Sequence, residues 1–164
     1  MSRTFPLGTT IALLFIPLSA PRGLCGEPTR LTTDGSFKQH VQWSPDGKTL
    51  YFTKGPRHPN EAGLFAKPVG SGAETLLIPG VVSGFWAVAE KGVYFVDVRA
   101  SGGEAPMAIR FFDFQSHKTR SVGVVERPVE LPMPGFSVTW DGRRVVWSQY
   151  DQASTDLMLL TNFR

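Results

Sequence analysis

The stretch Val41-Gln42-Trp43-Ser44-Pro45-Asp46-Gly47-Lys48-Thr49-Leu50-Tyr51-Phe52 decides the fold. Two apolar, aromatic-rich runs flank the four residues Ser44 to Gly47. Ser suits the first turn position, and Pro at the second pre-sets φ near about −65°. Asp tolerates the bridge region, and Gly accepts a positive φ that other residues resist. His40–Trp43 alternates before the turn, and Thr49–Phe52 is β-branched and aromatic after it. The stretch reads as a β-hairpin whose turn pins its register.

The same layout recurs. Phe136 to Trp147 repeats it with Trp140 in place of the proline, and its Asp141-Gly142 lies 95 residues beyond Asp46-Gly47. A degraded copy, Trp86 to Phe95, keeps a strand, an acidic-Gly turn (Glu90-Lys91-Gly92) and a Tyr-Phe pair. Spacings of 43 and 52 residues separate Tyr51, Tyr94 and Val146. A period of about 40–50 residues with four short strands is the mark of a β-propeller blade. The intervening segments supply the remaining strands: Gly63–Val69, Glu74–Ile78, Ala108–Phe114, Thr119–Val125 and Asp156–Leu160. Glu27–Thr32 resembles a fourth strand without its first three. The expectation is an all-β chain of about three four-stranded blades, an incomplete ring or half of an oligomeric one, with almost no helix after residue 30. The aromatics Trp43, Tyr51, Phe52, Trp86, Tyr94, Phe95, Phe136 and Trp147 recur at equivalent positions and read as blade-to-blade core.

Residues 1–26 are of another kind. Arg3 is followed by an apolar stretch over residues 9–20 and then by small residues. This is the layout of a secretory signal peptide, and the apolar part is too short to span a bilayer. It implies a periplasmic or secreted protein, with 27–164 as the propeller portion. Cys25 raises a lipoprotein reading, but lipidation favours a small residue before the cysteine and Leu24 is bulky. Cleavage after Gly26 would leave no cysteine, and so neither a disulfide nor a zinc-thiolate site.

The net charge of +3 falls to +1 without residues 1–26, which hold Arg3, Arg22 and no acid. No Lys/Arg run follows, so nucleic acid is not an expected partner. The sequence offers no nucleophile elbow, phosphate loop or paired metal ligands. Asp34, Asp46 and Asp141 read as turn acids, and His40, His58 and His117 as isolated histidines. No catalytic residue, metal or cofactor is expected. Candidate contact residues are Arg57, His58 and Glu61 in one second-to-third-strand loop, and Arg99 and Glu104 in the corresponding loop of the next blade, because function on scaffolds concentrates in loops.

Leu31 to Gly55, LTTDGSFKQHVQWSPDGKTLYFTKG, resembles the repeat of TolB-like β-propellers, WD-repeat-like proteins of the bacterial envelope. Residues 136–149 resemble it in part and 86–97 weakly. The resemblance implies a non-enzymatic scaffold that binds protein, peptide or glycan, with no catalytic residues to carry over. The alternative is a propeller portion of a larger peptidase, kinase or transcriptional regulator. Closed propellers have at least about four blades, so a homo-oligomer that completes the ring is one expectation and a portion of a longer protein is the other.

Overall fold

The computed structural model describes residues 28–55, 62–98, 106–127, 129, 135–151 and 154–161. Two compact units divide the chain, Met1–Phe37 and Lys38–Arg164. In the first, residues 28–37 contain no strand, so the outer strand expected over 27–32 is not formed among its described residues. Locally, Pro28 can donate no backbone hydrogen bond. Beyond it Asp34 accepts from the Ser36 N–H at 3.3 Å and the Ser36 hydroxyl at 2.7 Å, which turns the chain.

The second unit is all β among its described residues. The first sheet holds β1 (Lys38–Trp43), β2 (Thr49–Lys54), β3 (Gly63–Pro68) and β4 (Thr75–Pro79) in sequence order. The second holds β5 (Trp86–Ala89), β6 (Gly92–Asp97), β7 (Met107–Asp113) and β8 (Thr119–Val125). The third holds β9 (Phe136–Val138), β10 (Arg144–Asp151) and β11 (Ser154–Thr161). All pairings are antiparallel. These are the expected blades: two of four strands and one of three.

The two Asp-Gly turns are built alike. Ser44 Oγ donates to Asp46 Oδ1, which also accepts from the Lys48 N–H, and Gly47 N–H closes onto the Ser44 carbonyl at 3.0 Å. Thr139 plays the part of Ser44: its hydroxyl donates to Asp141 Oδ1, Arg143 N–H donates to the same oxygen, and Gly142 N–H closes onto the Thr139 carbonyl at 2.8 Å. Gly47 and Gly142 share a φ of +69°. Trp140 therefore replaces Pro45 without changing the turn.

Gly92 breaks the equivalence. It has no left-handed φ; it is a strand residue paired with Ala89 on one side and Asp113 on the other. Its lack of a side chain answers to space, since a Cβ there would lie 2.0 Å from the Phe112 carbonyl oxygen.

The blades pack face to face. Tyr51, Leu64 and Ile78 of the first sheet meet Trp86, Val93, Phe95 and Phe112 of the second. Val96, Ile109 and Phe111 of the second join a core with Phe136, Val145 and Trp147 of the third. Fully burying one such side chain is worth about 1.5–3 kcal/mol, so these two seams hold the blades in order. Trp43 departs from the expectation of core. It pairs with Leu50, one position from the Gln42–Tyr51 pair. Strand alternation sends it to the face opposite the Tyr51 seam, where it is 43% exposed.

Candidate functional site

The inner strands β1 and β9 and the entry to β5 border a hollow of about 360 Å³. His40, Gly84, Phe136, Trp147 and Leu157 are among its lining residues. The wall is mostly apolar, with His40 and Ser137 as its polar members, and Leu157 is 79% exposed. The place follows from the topology. An innermost strand has a blade neighbour on one side only, so its other edge faces the propeller axis.

His40 is the one residue there with a constrained backbone. Its φ is +51°, a left-handed value rare for a side chain with a Cβ. The register of β1 against β2 shifts between Gln39 and Gln42. This β-bulge re-aims the side chains that follow. The imidazole lies edge-on to Trp86, with ring centres 4.9 Å apart.

Gln42 fixes the polarity of this corner. Its Oε1 accepts from the Val88 N–H at 2.8 Å, so its amide nitrogen faces His40 Nε2 at 2.9 Å and the Trp86 carbonyl at 3.4 Å. An amide N–H₂ can only donate, so His40 Nε2 accepts and the proton of the neutral ring sits on Nδ1. Nε2 lies 3.1 Å from the Trp86 carbonyl as well, and a proton on Nε2 would donate to that oxygen while opposing the Gln42 amide. Burial lowers the His40 pKa from its ordinary value, and the Trp86 carbonyl opposes the shift in part.

The sign of the pH effect follows. A histidine whose folded pKa is depressed binds its proton more readily in the unfolded chain. Its penalty is absent above the ordinary value of 6.5 and grows as pH falls below it. Melting temperature should therefore fall between about pH 7 and pH 5, and His40→Asn, which tolerates left-handed backbone, should flatten that slope. Equal slopes for the two proteins in thermal melts would contradict the assignment.

The seam between the second and third blades carries a different cleft, of about 200 Å³. It is lined by Lys91, Tyr94, Phe111, Asp113, Arg120 and Asp141, together with Ala89 and Gly142. Tyr94 donates its hydroxyl to the Gly142 carbonyl at 3.1 Å, and Glu90 N–H donates to the Trp140 carbonyl at 2.9 Å. Burial raises the Tyr94 pKa; the Arg120 charge opposes the shift and the Asp141 charge adds to it. Hydrogen bonds within their own turns hold the Asp113 and Asp141 carboxyls below the usual range.

The expected contact residues Arg57, His58, Glu61, Arg99 and Glu104 lie outside the described residues. The cleft sits at the β5–β6, β7–β8 and β9–β10 turns, the strand ends opposite the β2–β3 and β6–β7 connections. Among the described residues no group of three His, Cys, Asp or Glu is arranged to hold a metal. In the sequence His40 reads as a strand residue and Tyr94 as core, and nothing there marks Gln42 or Arg120 for a role, save that Gln42 is a polar residue between two hydrophobic ones in an inner strand.

No family model and no curated protein sequence matches the chain. Solved structures do resemble its fold. TolB from Acinetobacter baumannii superimposes with a TM-score of 0.62 at 12% identity, over 82% of this chain and 32% of that one. A putative TolB from Agrobacterium tumefaciens gives 0.59 at 18% identity, over 85% and 52%. A structure from work on two prolyl endopeptidases gives 0.51 at 20% identity, over 85% and 24%. The chain thus spans about a third of the first structure and half of the second. At these identities the likeness establishes the fold: a partial β-propeller of the TolB-like kind.

Proposed function

We propose that this partial TolB-like propeller is a non-enzymatic binding module that takes a protein or peptide segment. The observation that carries the reading is the apolar hollow bordered by inner-strand residues, with Leu157 exposed at its edge. Apolar concavities with a few polar groups are the usual form of ligand sites. Here His40 is the polar group that would orient a bound chain.

Selection of random peptides on the immobilised full chain provides the test. Selected peptides should lose about tenfold or more in affinity for the Leu157→Glu protein, since a charge replaces a desolvated apolar contact. Leu157→Glu should leave the far-UV spectrum of the folded chain unchanged, because the exposed position has no packing within the chain to lose. Peptides indifferent to Leu157→Glu would sink the reading.

A second reading, a propeller portion of a larger peptidase, is favoured by the prolyl endopeptidase likeness.

The layout of residues 1–26 supports export to the bacterial envelope. Self-association is also part of the proposal. Val146 pairs with Leu159 and Ser148 with Leu157, on the face opposite the Val145–Trp147 core. Leu157 and Leu159 are 79% and 62% exposed there, and β11 has no outer neighbour among the described strands. Such a face and edge invite pairing. Light scattering at micromolar concentration should report a dimer, and a monodisperse monomer would count against a ring completed by a second copy.

A further inference from the structure

The cleft at the seam of the second and third blades has a charge arrangement that its own turns do not use up. Asp113 Oδ1 accepts from the Gln115 N–H, the Ser116 N–H and the Ser116 hydroxyl, at 2.7–3.0 Å. Asp141 Oδ1 accepts from the Thr139 hydroxyl at 2.6 Å and the Arg143 N–H at 3.0 Å. Each acid is thus engaged in closing its own turn. The acids keep their charge, and Arg120 lies near enough to Asp113 to help hold its carboxyl below the usual range. Neither Lys91 nor Arg120 forms an ion pair among the described residues.

Arg120 is held in place by another contact. Its guanidinium lies over the Phe111 ring, 5.2 Å from the centroid. A guanidinium over an aromatic ring keeps N–H groups available, and their fork matches a carboxylate. The Tyr94 hydroxyl is a third polar group in the same cleft. Trp140 borders the site through the turn it shares with Asp141 and Gly142, is 57% exposed, and has its backbone tied to Glu90. Two cations and two ionised acids line the cleft, and an exposed indole in a turn next to it has the character of a recognition anchor.

We propose that this cleft binds a carboxylate of a peptide ligand, with Arg120 as the pairing group, Lys91 as the supporting charge and Trp140 as the apolar contact. The inference rests on the binding-module reading but uses a different place on the molecule, so the two fail separately. A carboxylate reaches the cleft either from an acidic side chain or from a chain terminus. The chemistry at Arg120 is the same for both.

Amide chemical-shift titration of the full chain separates the possibilities with three short peptides. Acetyl-Ala-Glu-Ala-amide carries only a side-chain carboxylate. Acetyl-Ala-Gln-Ala with a free terminus carries only a terminal one. Acetyl-Ala-Gln-Ala-amide carries neither. At least one acid should bind about tenfold more tightly than the neutral peptide, with shifts centred on Lys91, Phe111 and Gly142. Whichever acid binds identifies the source. Arg120→Gln should abolish the tenfold preference while keeping a dispersed, native spectrum, and Trp140→Ala should weaken the acid about threefold. Equal affinity for all three peptides, shifts elsewhere, or an unchanged preference in Arg120→Gln would overturn the proposal. So would inorganic phosphate binding as tightly as the preferred acid, since the cleft would then be a site for any anion. If the peptides fail here while hollow-directed peptides still respond to Leu157→Glu, only the carboxylate site is lost.

Discussion

Gly92→Ala should be the most damaging conservative substitution in the protein. Gly92 opens β6 and is paired on both sides. A Cβ at this position would lie 2.0 Å from the Phe112 carbonyl oxygen and 2.6 Å from Phe111 Cε2. The first of these is backbone, so no rotamer change relieves it. Accommodation requires β7 to move, and β7 carries Ile109 and Phe111 into the core shared with the third blade. Overpacking that shifts backbone costs typically about 1–3 kcal/mol, occasionally more. Both rows of ladder bonds are affected here, so a loss of about 3 kcal/mol or more is expected, or roughly 10 °C in melting temperature. Chemical denaturation of the purified variant would measure it. A loss under about 1 kcal/mol would mean that β6 and β7 are not in this register.

The second large effect is Gly142→Val, read against Gly47→Val. Both glycines have a φ of +69°. A left-handed conformation costs a side-chain-bearing residue about 1–2 kcal/mol, and β-branching adds to it. At Gly47 that is the whole effect, because nothing lies within 4 Å of a Cβ there. At Gly142 a Cβ would meet the Tyr94 hydroxyl at 2.7 Å. The same hydroxyl donates to the Gly142 carbonyl, a bond worth about 1 kcal/mol net. Gly142→Val should therefore be destabilising by about 3 kcal/mol, and Gly47→Val by about half as much. Tyr94→Phe removes the clashing oxygen and should recover part of the Gly142→Val loss, which a double-mutant cycle would report as coupling. Equal losses at the two glycines would deny the seam between Tyr94 and the third blade.

These two glycines show how far the sequence could be read. Asp46-Gly47 and Asp141-Gly142 are legible because turn chemistry is local: the aspartate, the hydroxyl before it and the left-handed glycine all lie within four residues. The strands around them follow from alternation, and Thr119–Val125 is found where it is expected. Gly92 was misleading for the same reason. An acidic-Gly pattern looks like the same turn, but its glycine answers to Phe111 and Phe112 on a neighbouring strand, a constraint that local pattern does not carry. The candidate sites were less legible still. His40 and Gln42 act across a seam on Trp86 and Val88, and Arg120 shares a cleft with Lys91 only because β8 folds back beside the β5–β6 turn. Trp43 shows the converse. It pairs with Leu50, so strand alternation sets it on the face opposite the Tyr51 seam, where it is 43% exposed.

In this fold β1, β5 and β9 lie in order as the inner strands of adjoining propeller blades. An isotope-edited NOE spectrum of the full chain tests it most directly. Cross-peaks are expected between the Gln42 side-chain amide and the Val88 N–H, and between the Tyr94 ring and the Gly142 α-protons, in the same sample. Ordered hairpins that lack both sets of cross-peaks would contradict it.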